Sequence, residues 1–230
     1  MTTFLPQLVN CIICNTQNEV YLLTSTNSFG SPDLDYRPAG MARYTLIYQI
    51  QTCSSCGFSA PIISEDFLDM LSEEREEQKL QLKLVKELIN TKEYKSIINN
   101  RKYSDLFNSF YAASLIQEKI GNITTAFHLA LKAAWSADDR NNKKAAKYAR
   151  SRALELLEQL TEDDIDKVTK VLINIDLLRR NEEFTEVNNL INLARNIIED
   201  EEALKIINYQ RDLELKKDSS VRSINELVAF

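Results

Sequence analysis

The chain has 230 residues and a formal net charge of −6, from 28 Lys+Arg against 34 Asp+Glu, and 44% of its residues are hydrophobic. This length and apolar content allow a buried core in one or two domains and exclude a generally disordered chain. The acidic balance argues against a globally basic nucleic-acid binder. The start, MTTFLPQLVN, lacks the cationic and apolar parts of a secretory signal, and no run of about 18 apolar residues occurs. We therefore expect a cytoplasmic protein with no membrane partner.

Glycine and proline divide the chain into two parts. Seven of its eight Gly and Pro residues lie within the first 61 positions, and only Gly121 lies beyond them. Both residue types mark turns and interrupt helices. The sequence therefore predicts an α+β protein, with a β module over residues 1–61 and an all-α domain over residues 62–230.

Two strands are predicted in the β module. One covers Glu19–Thr24, and the other covers Tyr44–Gln51, where apolar and polar residues alternate with the period of a half-buried strand. The turn-forming residues between Asn27 and Gly40 predict a long loop. We expect the strands to form a small antiparallel sheet.

Seven or eight helices are predicted beyond Pro61. Four residues with capping side chains, Ser64, Ser104, Asn122 and Thr161, precede segments of helical pattern, three of them with acidic first turns. The predicted spans are 64–89, 93–100, 104–119, 122–137, 140–159, 162–180, 183–198 and 200–216.

The four cysteines form two CxxC pairs, which we call the first pair (Cys11 and Cys14) and the second pair (Cys53 and Cys56). A two-residue spacer allows both thiolates of a tight turn to bind one ion, and two such turns supply a tetrahedral zinc site. Asn15 and Gly57 follow the pairs and are residue types that tolerate the left-handed conformation of such turns. We predict a zinc-ribbon or rubredoxin-like module with a structural metal, because four protein ligands leave no position for substrate.

Other uses of the cysteines remain open. Iron fits the same four-sulfur cage. Two disulfides would require an oxidising compartment. A thioredoxin-like redox pair would require a helix N-terminus within a βαβ unit, and the sequence shows no such unit. Nucleic-acid binding by the module is disfavoured because residues 1–61 hold two arginines against three acidic residues, Glu19, Asp33 and Asp35.

The two cysteine pairs, the loop SPDLDYRPAGMARYT and the box CSSCGFSA resemble an uncharacterised prokaryotic family. Its members pair a CPxC with a CPxCGYxA box and continue into tetratricopeptide-like helices. In this chain Ile12 and Ser54 replace the prolines of the boxes, and Phe58 replaces the tyrosine. The resemblance extends loosely through LALKAAWSADD and implies a metal-binding module followed by helices, without implying an activity.

A tetratricopeptide pattern also fits parts of the helical region. One register covers Phe110–Asp138, with small residues at Ser114, Ala126 and Ala133, and a second covers Val171–Glu199. The registers are 61 residues apart, which is not a multiple of the 34-residue repeat. We expect irregular stacked helical hairpins of tetratricopeptide type.

Two polar clusters are candidate ligand-binding sites. The loop residues Asp33, Asp35 and Arg37 would lie near the metal module, where loops commonly carry recognition. Lys143, Lys147 and Arg150 fall at helical spacing and could bind a carboxylate or phosphate. A local ion pair and a solvated basic helix face are the simpler explanations of these two clusters.

We hypothesise a cytoplasmic interaction module in which a zinc-bound cap orients a helical-repeat scaffold for a protein or peptide partner. The alternative is an enzyme or small-ligand binder that uses Asp33, Asp35 and Arg37, and a third is a nucleic-acid-binding zinc ribbon. The sequence contains no phosphate loop, dinucleotide turn, nucleophile elbow or HExxH motif, and it has one histidine, His128. These absences favour a protein that is not an enzyme.

Overall fold

The structure is a computed structural model that describes residues 2–229. The chain divides into two compact units, of which the first comprises Met1–Asn27 and Tyr44–Ala153 and the second comprises Ser28–Arg43 and Leu154–Phe230. The second unit thus includes a piece of the N-terminal region, Ser28–Arg43, which we call the inserted segment. This division follows packing, whereas the predicted domains follow the change in composition at residue 61.

Two small antiparallel sheets lie in the first unit. Strand β1 (Thr3–Asn10) pairs with β2 (Gln17–Ser25), and β3 (Gln51–Thr52) pairs with β4 (Ser59–Ala60). The predicted strand at Glu19–Thr24 is confirmed within β2. Strand β1 was not predicted, because most of its residues are exposed on both faces and leave no alternating pattern.

The predicted strand at Tyr44–Gln51 is wrong. This region forms the 3-10 helices Gly40–Tyr44 and Leu46–Tyr48, and β3 begins only at Gln51. Leu46 and Ile50 are buried, whereas Tyr44 is 73% exposed. Thr45 and Gln51 are buried as well, so neighbouring residues are buried in pairs, which a half-buried strand with alternating faces does not allow.

The helical region agrees with the predicted spans to within a few residues, except at its ends. The predicted helix 64–89 is divided into a 3-10 helix at Glu65–Met70 and α1, and a further 3-10 helix covers Ile224–Ala229. Among residues 2–229, no helix combines the length and apolar composition needed to span a membrane. The α-helices of the described chain are α1 (Arg75–Ile89), α2 (Lys92–Ile98), α3 (Asp105–Lys119), α4 (Ile123–Asp138), α5 (Lys143–Gln159), α6 (Lys167–Arg180), α7 (Phe184–Ile197) and α8 (Glu201–Leu215).

Two of the four predicted helix caps are confirmed. The side chain of Ser104 accepts a hydrogen bond from the backbone N–H of the third helical residue of α3, and Asn122 does the same for α4. Ser64 makes no capping hydrogen bond. The prediction of Thr161 as a cap is also wrong, because α6 begins at Lys167 and its cap is Asp166, whose side chain accepts from the N–H of Thr169.

The core of the first unit joins the cysteine-bearing turns to α1, α2 and α3. The fully buried rings of Phe58 and Phe67 meet edge to face with their centroids 5.0 Å apart, and Ile116 of α3 belongs to the same cluster. Tyr94 of α2 is buried beside them and donates its hydroxyl to the carbonyl of Gly57 at 2.9 Å. Helices therefore supply most of the apolar surface that the short strands cannot provide.

The second unit packs α6, α7 and α8 together with the inserted segment. Leu34 of this segment is buried against Tyr209 and Leu213 of α8. The backbone N–H of Leu34 donates to the carbonyl of Arg222 at 2.9 Å, and that of Ile224 donates to the carbonyl of Pro32 at 2.9 Å. The inserted segment is thus an integral part of the helical core of the second unit.

Candidate metal centre

Two turns of equivalent geometry position the cysteines. In the first turn the N–H of Cys11 donates to the carbonyl of Thr16 at 3.0 Å, and the N–H of Asn15 donates to the carbonyl of Cys11 at 2.8 Å. In the second turn Cys53 and Gly57 donate in the same way, to Phe58 at 2.8 Å and to Cys53 at 3.0 Å. The residues after the pairs are left-handed, with φ of 60° at Asn15 and 74° at Gly57. The predicted conformation of both turns is confirmed.

The four sulfur atoms lie within 4.8 Å of one another. The two shortest recorded separations join one pair to the other: Cys14 Sγ is 3.5 Å from Cys53 Sγ, and Cys11 Sγ is 3.8 Å from Cys56 Sγ. A tetrahedral site with Zn–S bonds of about 2.3 Å has sulfurs about 3.8 Å apart. The donor set and its spacing therefore fit one tetrahedral metal ion.

The cysteines are not joined by disulfides, and all four are free. The sulfur separations exceed the roughly 2.05 Å of a disulfide bond. Cys11 and Cys53 are buried, whereas Cys14 is exposed and Cys56 is half-buried. An ion held by all four sulfurs would have no open coordination position, which is typical of a structural site.

The environments of the thiols differ. Burial raises the pKa of Cys11 and of Cys56, because a thiolate in an apolar surrounding lacks hydration. At Cys14 burial acts in the same direction, but hydrogen bonds from Thr16 and the neighbouring thiols lower its pKa to about 6. A divalent cation at the centre would favour the thiolate form of all four.

Asn18 supports the cluster and was missed by the sequence analysis. Its side-chain amide lies 3.6 Å from Cys53 Sγ, and its carbonyl oxygen accepts from the backbone N–H and the hydroxyl of Ser54 at 2.9 and 3.0 Å. A single polar residue on β2 thus ties the first turn to the second. No motif marks this residue, since its role depends on strand pairing and not on spacing.

The loop residues Asp33, Asp35 and Arg37 lie in the second unit, whereas the cysteines belong to the first. All three are at least nine-tenths buried. Arg43 contacts Asp33 at 2.7 Å, and Arg180 of α6 contacts Asp35 at 2.8 Å. Burial raises the pKa of Asp33 despite its arginine neighbour. The contacts are those of a buried ion-pair network that holds the inserted segment.

This network extends to residues that the sequence analysis did not single out. Asp176 and Arg179, one turn apart on α6, form a buried ion pair of 2.6 Å. Burial raises the pKa of Asp176, while the arginines beside it act in the opposite direction. Arg179 also donates to the carbonyls of Asp218 and Ser220, at 2.5 and 3.0 Å. The basic end of α6 is therefore part of the core of the second unit.

The predicted basic helix face is divided by burial. Lys143 and Lys147 of α5 are exposed. Arg150 is 5% exposed, and its Nη1 donates to both carboxylate oxygens of Asp138 at 3.1 Å. Arg150 thus forms a buried ion pair, while the two lysines lie at the surface.

These observations define a class of protein: a small β region with a four-cysteine cluster, followed by a helical domain. Residues 5–217 match a family described as uncharacterized proteins conserved in bacteria, DUF2225. The chain belongs to this family, which confirms the resemblance carried by its two cysteine boxes. Comparison with curated proteins and with solved structures gave no match.

Proposed function

We propose that the chain is a zinc-binding interaction module in which one structural metal ion stabilises the N-terminal β region on its supporting helices. The observation that carries the proposal is the convergence of four sulfur atoms within 4.8 Å from two turns of equivalent geometry. Zinc suits a closed four-thiolate site of this size. Iron is the alternative occupant of the same cage.

The metal would supply stability that the local core lacks. Strands β3 and β4 have two residues each, and β1 is exposed along most of its length. Structural zinc contributes on the order of 10 kcal/mol or more to small domains. We infer that the ion fixes the two cysteine turns to each other and to the core with α1, α2 and α3.

The helical part supports a role in binding another protein. The two tetratricopeptide registers coincide with two helical hairpins, α3 with α4 and α6 with α7, each joined by a turn of three residues. Hairpins of this kind commonly present surfaces to peptides or proteins. A cytoplasmic location is part of this proposal, since cysteines without disulfide bonds are typical of a reducing compartment.

Metal analysis combined with native mass spectrometry of the untagged protein tests the metal. We expect one zinc ion per chain and its loss in Cys53→Ser, which removes a buried ligand. Ser55→Ala, in the same turn, is the matched control and should retain the ion. A visible absorption band with bound iron would reassign the metal, and a folded wild-type chain without metal would contradict the proposal.

A further inference from the structure

The free edge of β1 is the feature from which we draw a further inference. β1 and β2 form a two-stranded sheet, so β1 is paired on one side only. Isolated two-stranded hairpins are marginally stable, and an unpaired strand edge is a template for another extended chain. The apolar side chains of Phe4, Leu5 and Leu8 on β1 are 44%, 61% and 64% exposed.

Two independent observations fix which backbone groups face the free edge. At the end of the hairpin the N–H of Cys11 donates to the carbonyl of Thr16. The backbone N–H and carbonyl groups of the odd-numbered residues of β1 therefore point toward β2. Pro6 lies opposite Tyr21 within the paired strand and has no N–H to donate. Its backbone nitrogen is therefore expected on the side away from β2. Leu8 and Asn10 therefore direct their backbone N–H and carbonyl groups outward.

A groove of about 720 Å³ lies along this edge. The four consecutive residues 7–10 line it together, as expected of a groove beside a strand, because successive side chains point to opposite faces. The first cysteine turn closes one end with Ile12 and Ile13, and the exposed acidic residues Glu65 and Asp66 form part of the wall.

We propose that the edge of β1 at Leu8 and Asn10 binds an extended peptide segment of a protein partner by strand addition. The chemistry of the groove specifies the segment: apolar residues at alternate positions on the face of the strand that carries Leu8, and a lysine or arginine beside Glu65 and Asp66. This inference depends on the proposed function only in that the metal-bound turn forms one end of the groove.

A second copy of the chain fits this edge less well. In an antiparallel pair of β1 strands centred on Leu8, each Pro6 would face Asn10 of the other copy and could donate no hydrogen bond. Both copies would also bring their acidic walls to the same interface. A basic partner strand meets neither obstacle.

Selection from a phage-displayed library of linear dodecapeptides on the zinc-loaded, full-length protein tests the proposal. We expect enriched peptides with alternating apolar residues and a basic residue. Leu8→Pro removes the outward N–H of Leu8, and the strand already accommodates proline at Pro6, which has the same orientation. The variant should bind the peptide about tenfold more weakly, because one hydrogen bond is lost and a peptide carbonyl is left unpaired. Leu8→Ala keeps the N–H and is the matched control for the side chain.

Further measurements complete the test. Bound peptide should slow hydrogen exchange of the Leu8 and Asn10 amides, and Glu65→Lys should weaken the basic peptides. Equal binding by folded Leu8→Pro, or no enrichment on zinc-loaded wild type, would overturn the proposal. A wild-type dimer that Leu8→Pro converts to a monomer would assign the edge to a second copy instead. Zinc is measured on each preparation. Peptide binding by a folded, zinc-free chain would support strand addition at β1 and contradict the proposed structural metal.

Discussion

The carboxylate of Asp35 contacts the guanidinium of Arg180 at 2.8 Å, although the two residues are 145 positions apart in the chain. Both side chains are almost completely buried, at 1% and 4% exposure. The pair joins the inserted segment to α6 within the second unit. Breaking it would leave a charged guanidinium in a place from which water is largely excluded.

We expect Asp35→Ala to lower the free energy of unfolding by about 3–5 kcal/mol, because it removes one partner of a buried pair. Lys205→Ala is the matched control: its pair with Glu202, at 2.6 Å, is exposed on α8. That substitution should leave the free energy of unfolding nearly unchanged, because water screens an exposed ion pair. Urea-induced unfolding followed by circular dichroism measures both. Equal effects of the two substitutions would show that the Asp35 pair is not structurally important.

The second cysteine turn depends on a glycine conformation. Gly57 has φ of 74°, and a Cβ atom there would lie 3.4 Å from Ile98, which is an ordinary contact. The cost of Gly57→Ala is therefore conformational, and we expect roughly 1–2 kcal/mol of destabilisation together with weaker metal binding. Zinc competition with a chromogenic chelator and thermal unfolding measure the two effects.

The first turn provides the control for this prediction. Asn15 occupies the equivalent position with φ of 60°. Asn15→Gly should leave zinc affinity nearly unchanged, since glycine adopts this conformation without steric cost. A loss of affinity as large as that of Gly57→Ala would mean that the asparagine side chain, and not the backbone, is required.

Tyr94 connects α2 to the same turn. Its hydroxyl donates to the carbonyl of Gly57, and burial raises the pKa of this phenol, so it stays protonated and able to donate. Tyr94→Phe should cost about 1 kcal/mol of stability, with retention of the ring packing. Tyr148→Phe, at a half-exposed ring on α5, is the control and should be nearly neutral. Thermal unfolding measures both variants, and equal melting temperatures of Tyr94→Phe and Tyr148→Phe would contradict the prediction.

The C-terminal segment should respond to acid. Partial burial opposes ionisation of Asp218, but hydrogen bonds from Ser220 and Arg222 hold the pKa of its carboxyl well below its ordinary value. A carboxyl with a lowered pKa in the folded state stabilises the fold above the unfolded-state pKa of about 3.9, and this contribution is lost as the pH falls below that value.

We therefore expect the free energy of unfolding to fall less between pH 6 and pH 3 in Asp218→Asn than in the wild type. Chemical unfolding at the two pH values measures the difference. Asp139→Asn, an exposed carboxyl at the end of α4, tests whether any carboxyl removal has the same effect. A wild-type pH dependence that Asp218→Asn leaves unchanged would refute the assignment.

Sequence patterns located the helices and the cysteine turns because both depend on neighbouring residues. Caps such as Ser104 and Asn122, and the two-residue spacing of the cysteines, act within one turn of the chain. The strand prediction at Tyr44–Gln51 failed since alternation of apolar residues does not reveal which of them are buried. Strand β1 carried no pattern because its side chains are mostly exposed.

Long-range packing could not be predicted from these patterns. Asp33, Asp35 and Arg37 attracted attention as polar residues in a loop, and a loop of this composition is ordinarily solvated. Their burial depends on contacts of the inserted segment with Arg180 and Leu213, which lie far along the chain and which no local pattern links to the loop. The support of Cys53 by Asn18 is likewise a product of tertiary structure.

The inserted segment has a consequence for dissecting the protein. The polypeptide passes from one unit to the other after Asn27, after Arg43 and after Ala153, so a single proteolytic cut cannot liberate either unit intact. A fragment ending at Ala153 would still carry Leu34 and Asp35 without their partners on α8 and α6. In such a fragment the apolar and charged side chains of the inserted segment would be exposed without their partners. Experiments on either unit therefore require the whole polypeptide.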